Sequence, residues 1–124
     1  MIVLDYQDRR PIYEQVTDKF QILILNGVLP PGLQMPSVRQ LATELSVNPN
    51  TIQRAYMELE KLGLIYPVKG RGNFVADSSQ VQKINRESYR KEFTALIQKG
   101  RNTGFNREEL EKMFAEIFEK EDES

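Results

Sequence analysis

The sequence predicts a mainly α-helical chain carrying one small β-hairpin, and three observations predict it. Apolar residues recur at helical spacing through most of the chain, in segments punctuated by proline, glycine and capping residues. One stretch, "LIYPVKGRGNFVA", instead has β-type residues on both sides of Lys69-Gly70-Arg71-Gly72-Asn73. Just before it, two helical segments are separated only by "SVN", a turn of three or four residues.

Pro11 suits the first turn of a helix, since its missing N–H would be unpaired there anyway. Ile12, Val16, Phe20, Leu23 and Ile24 follow at helical spacing, Gly27 can close the helix in a left-handed conformation, and "LPPG" breaks the chain. A first helix is expected over 11–26. Ser37 with Gln40 three residues on forms a capping box, fixing a second start at Val38 with Val38, Leu41, Ala42 and Leu45 as its apolar stripe. At the third start Asn48 caps and Pro49 takes the first helical position. Ile52, Ala55, Tyr56, Leu59 and Leu62 then form a buried stripe up to Gly63. The second and third helices are thus nearly back to back, a helix-turn-helix. In the hairpin the two glycines around Arg71 accept positive φ without a side-chain clash, and Pro67 implies that its strand lies at an edge or starts late.

From Ser78 the charged fraction rises and the chain reads helical again, with Val81, Ile84, Tyr89, Phe93, Leu96 and Ile97 as apolar positions until "RNTG" breaks it. Asn106 and Glu109 make a second capping box, and Phe105 and Leu110 stand where a hydrophobic staple puts them. Leu110, Met113, Phe114, Ile117 and Phe118 form a dense stripe. The expected organisation is an N-terminal domain over 1–77 and a helical tail over 78–124. A lone pair of helices cannot bury so much apolar surface, so the stripe must meet the N-terminal domain, another copy of the chain, or both, and a symmetric pair is the commonest soluble oligomer. Phe93, Leu96, Ile97, Leu110, Met113, Phe114, Ile117 and Phe118 are therefore expected to pair two copies of the chain. Tyr89, Phe93 and Phe114 read as packing residues rather than a ligand cage.

Composition narrows the chemistry. Among 124 residues there is no cysteine and no histidine, which removes disulfides, zinc–thiolate sites, thiol nucleophiles and the commonest general base. No carboxylate pair shows a metal-ligand spacing or an identifiable cleft, so no catalytic residue, metal or cofactor is expected. The longest apolar run is too short to span a membrane, and "MIVLDYQDRR" does not resemble a secretory signal, so a cytoplasmic location is expected. Net charge is −1, low for a nucleic-acid binder, but the acid collects in "FEKEDES", a segment expected to fray, and leaves room for a locally positive face.

On the third helix Asn50, Gln53, Arg54, Met57 and Lys61 form one continuous stripe opposite the apolar one. A solvated helix face commonly carries such residues. Here, though, the stripe begins at the N-terminus of the second helix of a tight pair, and amides and guanidinium groups make paired hydrogen bonds to base edges in a major groove. The hairpin tip presents Lys69 and Arg71, and the negative potential of a minor groove accepts such an arginine. Ser37 and Thr51 sit where a hydroxyl and a helix N-terminus can meet phosphate.

Order and spacing together resemble a family. "PIYEQV", "GVLPPGLQMPSVRQLATELSVNPNTIQRAYMELEKLGLI" and "GRGNFV" are similar to the winged helix-turn-helix domain of GntR-family bacterial transcription regulators, and "VNPNTIQRAY" with the short tail looks most like the YtrA subfamily. The resemblance implies DNA contacts from Arg39, from Asn50, Thr51, Gln53 and Arg54, and from the wing tip Gly70, Arg71 and Gly72. Arg39 and Lys69 would grip phosphates, while Asn50, Gln53 and Arg54 would select bases. It also implies a homodimer joined through the tail, most often a repressor on an inverted-repeat operator with half-sites about one helical turn of ~10 bp apart, frequently next to transporter genes. Two departures stand out. Pro49 and Gln53 occupy positions where many relatives carry arginine, so base preference does not transfer. Ser46 stands where glycine is frequent in the turn, and left-handed geometry there would cost about 1 kcal/mol. Two rival readings are a winged-helix protein-interaction module and a small-molecule sensor with its pocket at the dimer seam.

Overall fold

A computed structural model describes residues 2–122. The order of elements is α1 (Ile12–Leu25), α2 (Val38–Leu45), α3 (Pro49–Lys61), β1 (Ile65–Val68), β2 (Gly72–Val75), α4 (Ser79–Asn102) and α5 (Arg107–Asp122). Two compact units divide the chain, Met1–Gln82 and Lys83–Ser124, with the division inside α4.

In the first unit α3 packs on α1 and α2 around Val16, Phe20, Leu41, Ile52, Ala55, Tyr56 and Leu59, all buried. The rings of Phe20 and Tyr56 meet edge to face at 5.9 Å, a favoured aromatic geometry. The Tyr56 hydroxyl donates to the Pro36 carbonyl at 2.7 Å, which ties the lead-in of α2 to α3. Burial pushes the Tyr56 pKa up, so the hydroxyl stays a donor through the ordinary pH range.

Helix ends follow the capping chemistry. The Ser37–Gln40 box is formed in both directions, with Ser37 Oγ accepting from the Gln40 N–H at 3.1 Å and Gln40 Oε1 from the Ser37 N–H at 3.2 Å. Asn48 caps α3 by accepting from the Asn50 N–H at 2.8 Å, with Pro49 as the first helical residue. Gly27 closes α1 at φ 76°, as its lack of Cβ permits: the Val28 N–H donates to the Leu23 carbonyl and the Gly27 N–H to Ile24. Ser46 is left-handed at φ 56°, the one non-glycine residue with positive φ among those described. Pro11 differs from expectation. Its ψ of 147° leaves it outside α1 as the N-cap, so the helix starts at Ile12 and ends at Leu25. Leu62 also departs from the buried stripe: as the C-cap of α3 it is 42% exposed.

β1 and β2 pair antiparallel with Pro67 opposite Asn73. On its other side β2 meets the segment before α2, through a bridge from Gln34 to Phe74 and a Met35 N–H to Asn73 carbonyl bond at 2.8 Å. β1 is therefore the outer strand, where a missing proline N–H leaves no gap in the ladder.

In the second unit the Asn106–Glu109 box forms, with Glu109 N–H to Asn106 Oδ1 at 2.9 Å and Asn106 N–H to Glu109 Oε1 at 3.1 Å. Phe105 and Leu110 line the same apolar hollow. Neither α4 nor α5 has a buried residue among those described. Tyr89, Phe93 and Phe114, expected to pack, are exposed in the single chain, as are Leu96, Met113, Ile117 and Phe118. Of the segment expected to fray, residues through Asp122 belong to α5, and 123–124 lie outside the described residues.

Candidate nucleic-acid interface

The candidate reader is the exposed side of α3. Ile52, Ala55 and Leu59 are fully buried, which fixes the helix rotation and turns Asn50, Gln53, Arg54, Met57 and Lys61 outward. Thr51 is half-buried at the edge of this stripe. Lys61 pairs with Glu58 at 3.6 Å, within its own helix. Arg54 behaves differently: its guanidinium carbon lies 3.8 Å from the centroid of the Tyr13 ring on α1.

The wing is shaped by backbone bonds. Gly70 and Gly72 adopt φ of 79° and 106°, and the Arg71 N–H donates to the Val68 carbonyl at 2.9 Å to close the turn. Gln34 Nε2 donates to the Arg71 carbonyl at 2.8 Å, so the tip is held from outside the hairpin while its Lys69 and Arg71 side chains stay exposed. Behind the tip, Tyr66 and Phe74 stack with centroids 6.0 Å apart.

Ser37, Gln40, Arg71 and Gly72 line one groove between the start of α2 and the wing tip. Arg39 lies in an adjoining hollow with Pro36 and Gln40. The α3 residues line neither. Among the described residues Arg39, Arg54, Lys69 and Arg71 enter no ion pair, so their charge is available to an outside anion. Gln34 and Tyr13 were not marked by sequence reasoning. Each acts on a residue far along the chain, where periodicity carries no signal; a proline-rich lead-in to a capped helix was the available hint for Gln34.

Among the described residues no cluster of three or more acidic side chains can hold a metal ion. No helix among them is long and apolar enough to cross a membrane.

A helix pair whose second member shows a hydrogen-bonding face, flanked by a hairpin with a basic tip, defines a winged helix-turn-helix DNA-binding regulator. The chain belongs to the GntR family: residues 12–75 match the family described as bacterial regulatory proteins, gntR family. Its likeness to the YtrA type extends well beyond that segment. It is 34% identical over 119 residues to the HTH-type transcriptional repressor YtrA of Bacillus subtilis, covering 94% of this chain and 92% of that protein. Among solved structures, a GntR family transcriptional regulator from Listeria monocytogenes superposes with a TM-score of 0.70 at 33% identity, covering 91% of this chain and 98% of that one. The AraR DNA-binding domain, solved in complex with operator ORR3, matches with a TM-score of 0.53 at 32% identity over 61% of this chain and 92% of that one. The chain is thus a DNA-binding transcription regulator, and neither its family nor these relatives are enzymes.

Proposed function

We propose that the chain is a homodimeric repressor that binds an inverted-repeat operator through α3 and the wing. The observation that carries this reading is the outward face of α3: Asn50, Gln53 and Arg54 are exposed beside a buried stripe that fixes their direction. Asn50, Gln53 and Arg54 select bases, with Thr51 at the helix start. Ser37, Arg39 and Lys69 hold phosphates, and Arg71 between Gly70 and Gly72 enters the minor groove.

Pairing is supported by the tail. Phe93, Leu96, Met113, Phe114, Ile117 and Phe118 are exposed large apolar residues, with half-buried Ile97 and Leu110 between them. Each large side chain covered on association contributes roughly 1.5–3 kcal/mol. In the proposed two-fold pair the two α3 helices meet one face of the duplex, so half-sites fall ~10 bp apart. The repressor sense is supported by the YtrA relative of Bacillus subtilis, a transcriptional repressor, and transport genes beside the chain's own gene are the first targets to test. Membership of a family of bacterial DNA-binding regulators supports a cytoplasmic location.

The test is selection of bound fragments from random-sequence duplexes by the full chain, followed by footprinting. A protected inverted repeat is expected. Recovery of sequences with no dyad and no enrichment over input would overturn the reading and favour a protein-binding role for the same surface. The sensor alternative draws on the apolar hollow lined by Phe93, Ile97, Phe105, Leu110 and Phe114, and predicts operator affinity that changes with an added small molecule.

A further inference from the structure

The geometry points to Tyr13 as a positioning residue that holds the Arg54 guanidinium by its face, leaving the N–H edge presented for a DNA acceptor. This inference rests on the reading of Arg54 as a DNA contact. Tyr13 lies in the first turn of α1, half-buried, and its ring sits under the Arg54 guanidinium carbon at 3.8 Å. A planar guanidinium stacked on a ring uses its π face and charge, while its five N–H donors remain in the plane, outside the stack.

The carboxylates nearby make the arrangement informative. Glu14, Asp18 and Glu58 line a surface hollow with Tyr13, and any of them would be an ordinary partner for an arginine. Each has another partner. Glu14 Oε1 accepts from the Tyr13 hydroxyl at 3.3 Å, Asp18 pairs with Arg10, and Glu58 with Lys61. A carboxylate would have consumed the donor fork that bidentate recognition requires. An aromatic ring restrains the same side chain and consumes none of it, so the rotamer freedom lost on binding is lower. The α1–α3 contact thus orients the reader as well as burying the core.

The experiment measures affinity of the full chain for a duplex selected from random DNA, at fixed salt, for Tyr13→Phe, Tyr13→Leu, Arg54→Ala and the double variant Tyr13→Leu/Arg54→Ala. Arg54→Ala is expected to weaken binding by roughly 5- to 150-fold, the range for a base-edge arginine. Tyr13→Phe keeps the ring and is expected to bind as the parent does. Tyr13→Leu is expected to lose about 2- to 5-fold, and to add no further loss once Arg54 is alanine. Equal losses from Tyr13→Leu in both backgrounds overturn the inference, as does a Tyr13→Phe variant as weak as the leucine. If Arg54→Ala binds normally, the contact reading of Arg54 fails and takes the inference with it; Gln53→Ala and Arg71→Ala then show whether the DNA interface itself stands. A second measurement needs no variant that could misfold. In the parent protein, ring-current shifts of the Arg54 side-chain protons are expected in both free and DNA-bound states, and their disappearance on binding overturns the inference.

Discussion

Tyr56→Phe isolates one bond in the brace between α2 and α3. The substitution keeps the ring and its 5.9 Å edge-to-face contact with Phe20, so no cavity opens and the apolar burial is retained. What goes is the hydroxyl, which donates to the Pro36 carbonyl at 2.7 Å. A buried acceptor that loses its partner costs about 1–3 kcal/mol. Pro36 is only half-buried, so water can partly replace the donor, and the lower part of that range applies: about 1–2 kcal/mol. The assay is urea unfolding of parent and variant at one protein concentration, because association would otherwise shift both midpoints. The midpoint should fall with an unchanged slope. The same variant alters alkaline behaviour. Burial raises the folded-state pKa of Tyr56, so its stabilising contribution is complete below the unfolded value of about 10 and is lost as pH rises from there towards the folded value. Phenylalanine removes that component. A change below about 0.3 kcal/mol at neutral pH, with the slope intact, would show that this bond does not secure the helix pair.

Three further outcomes follow from other parts of the chain. Ser46→Gly relieves a left-handed residue at φ 56° and should stabilise by up to about 1 kcal/mol, part of the gain being offset by the freer unfolded chain; calorimetry showing a lower melting temperature contradicts it. Phe114→Asp places a charge on the exposed apolar face of α5, and in the proposed symmetric pair it acts twice, so sedimentation velocity of parent and variant side by side should find a dimer only for the parent; an equal dimer in both removes this face from the interface. The Asp77 carboxylate is held below its usual range first by the Ser79 backbone N–H at 3.1 Å and then by the Ser79 side chain. Its contribution is therefore present above the unfolded pKa of about 3.9 and is lost as pH falls through the lower folded value, so Asp77→Asn should flatten the acid limb of the stability curve; an unaltered limb refutes the assignment.

Local chemistry was the legible part. Ser37 with Gln40, Asn48 with Pro49 and Asn106 with Glu109 each announce a helix start through interactions a few residues apart, and all three starts stand where the sequence puts them. Pro67 likewise pointed to a strand that lies at an edge or starts late, and β1 is the outer strand, where a missing N–H is tolerated. Contacts across long sequence separations were not legible. Gln15 is buried on α1 because its amide accepts from the Asp5 N–H at 3.0 Å and donates to the Arg10 carbonyl, anchoring a leading segment that has no periodicity of its own. The grip of Gln34 on the wing and the seat of Arg54 on Tyr13 are of the same kind. For the interface, residue type and helix phase indicated which side chains face outward. They did not show that the start of α2 and the wing tip would share a groove, which depends on how Gln34 and Met35 pair with β2.

Gln34 holds the hairpin tip through a carbonyl, an atom that every amino acid at position 71 supplies. Loop shape and loop chemistry are thereby uncoupled. The arginine can be exchanged for another side chain without loss of this hold on the turn, so a replacement at position 71 tests the proposed DNA contact separately from the shape of the loop.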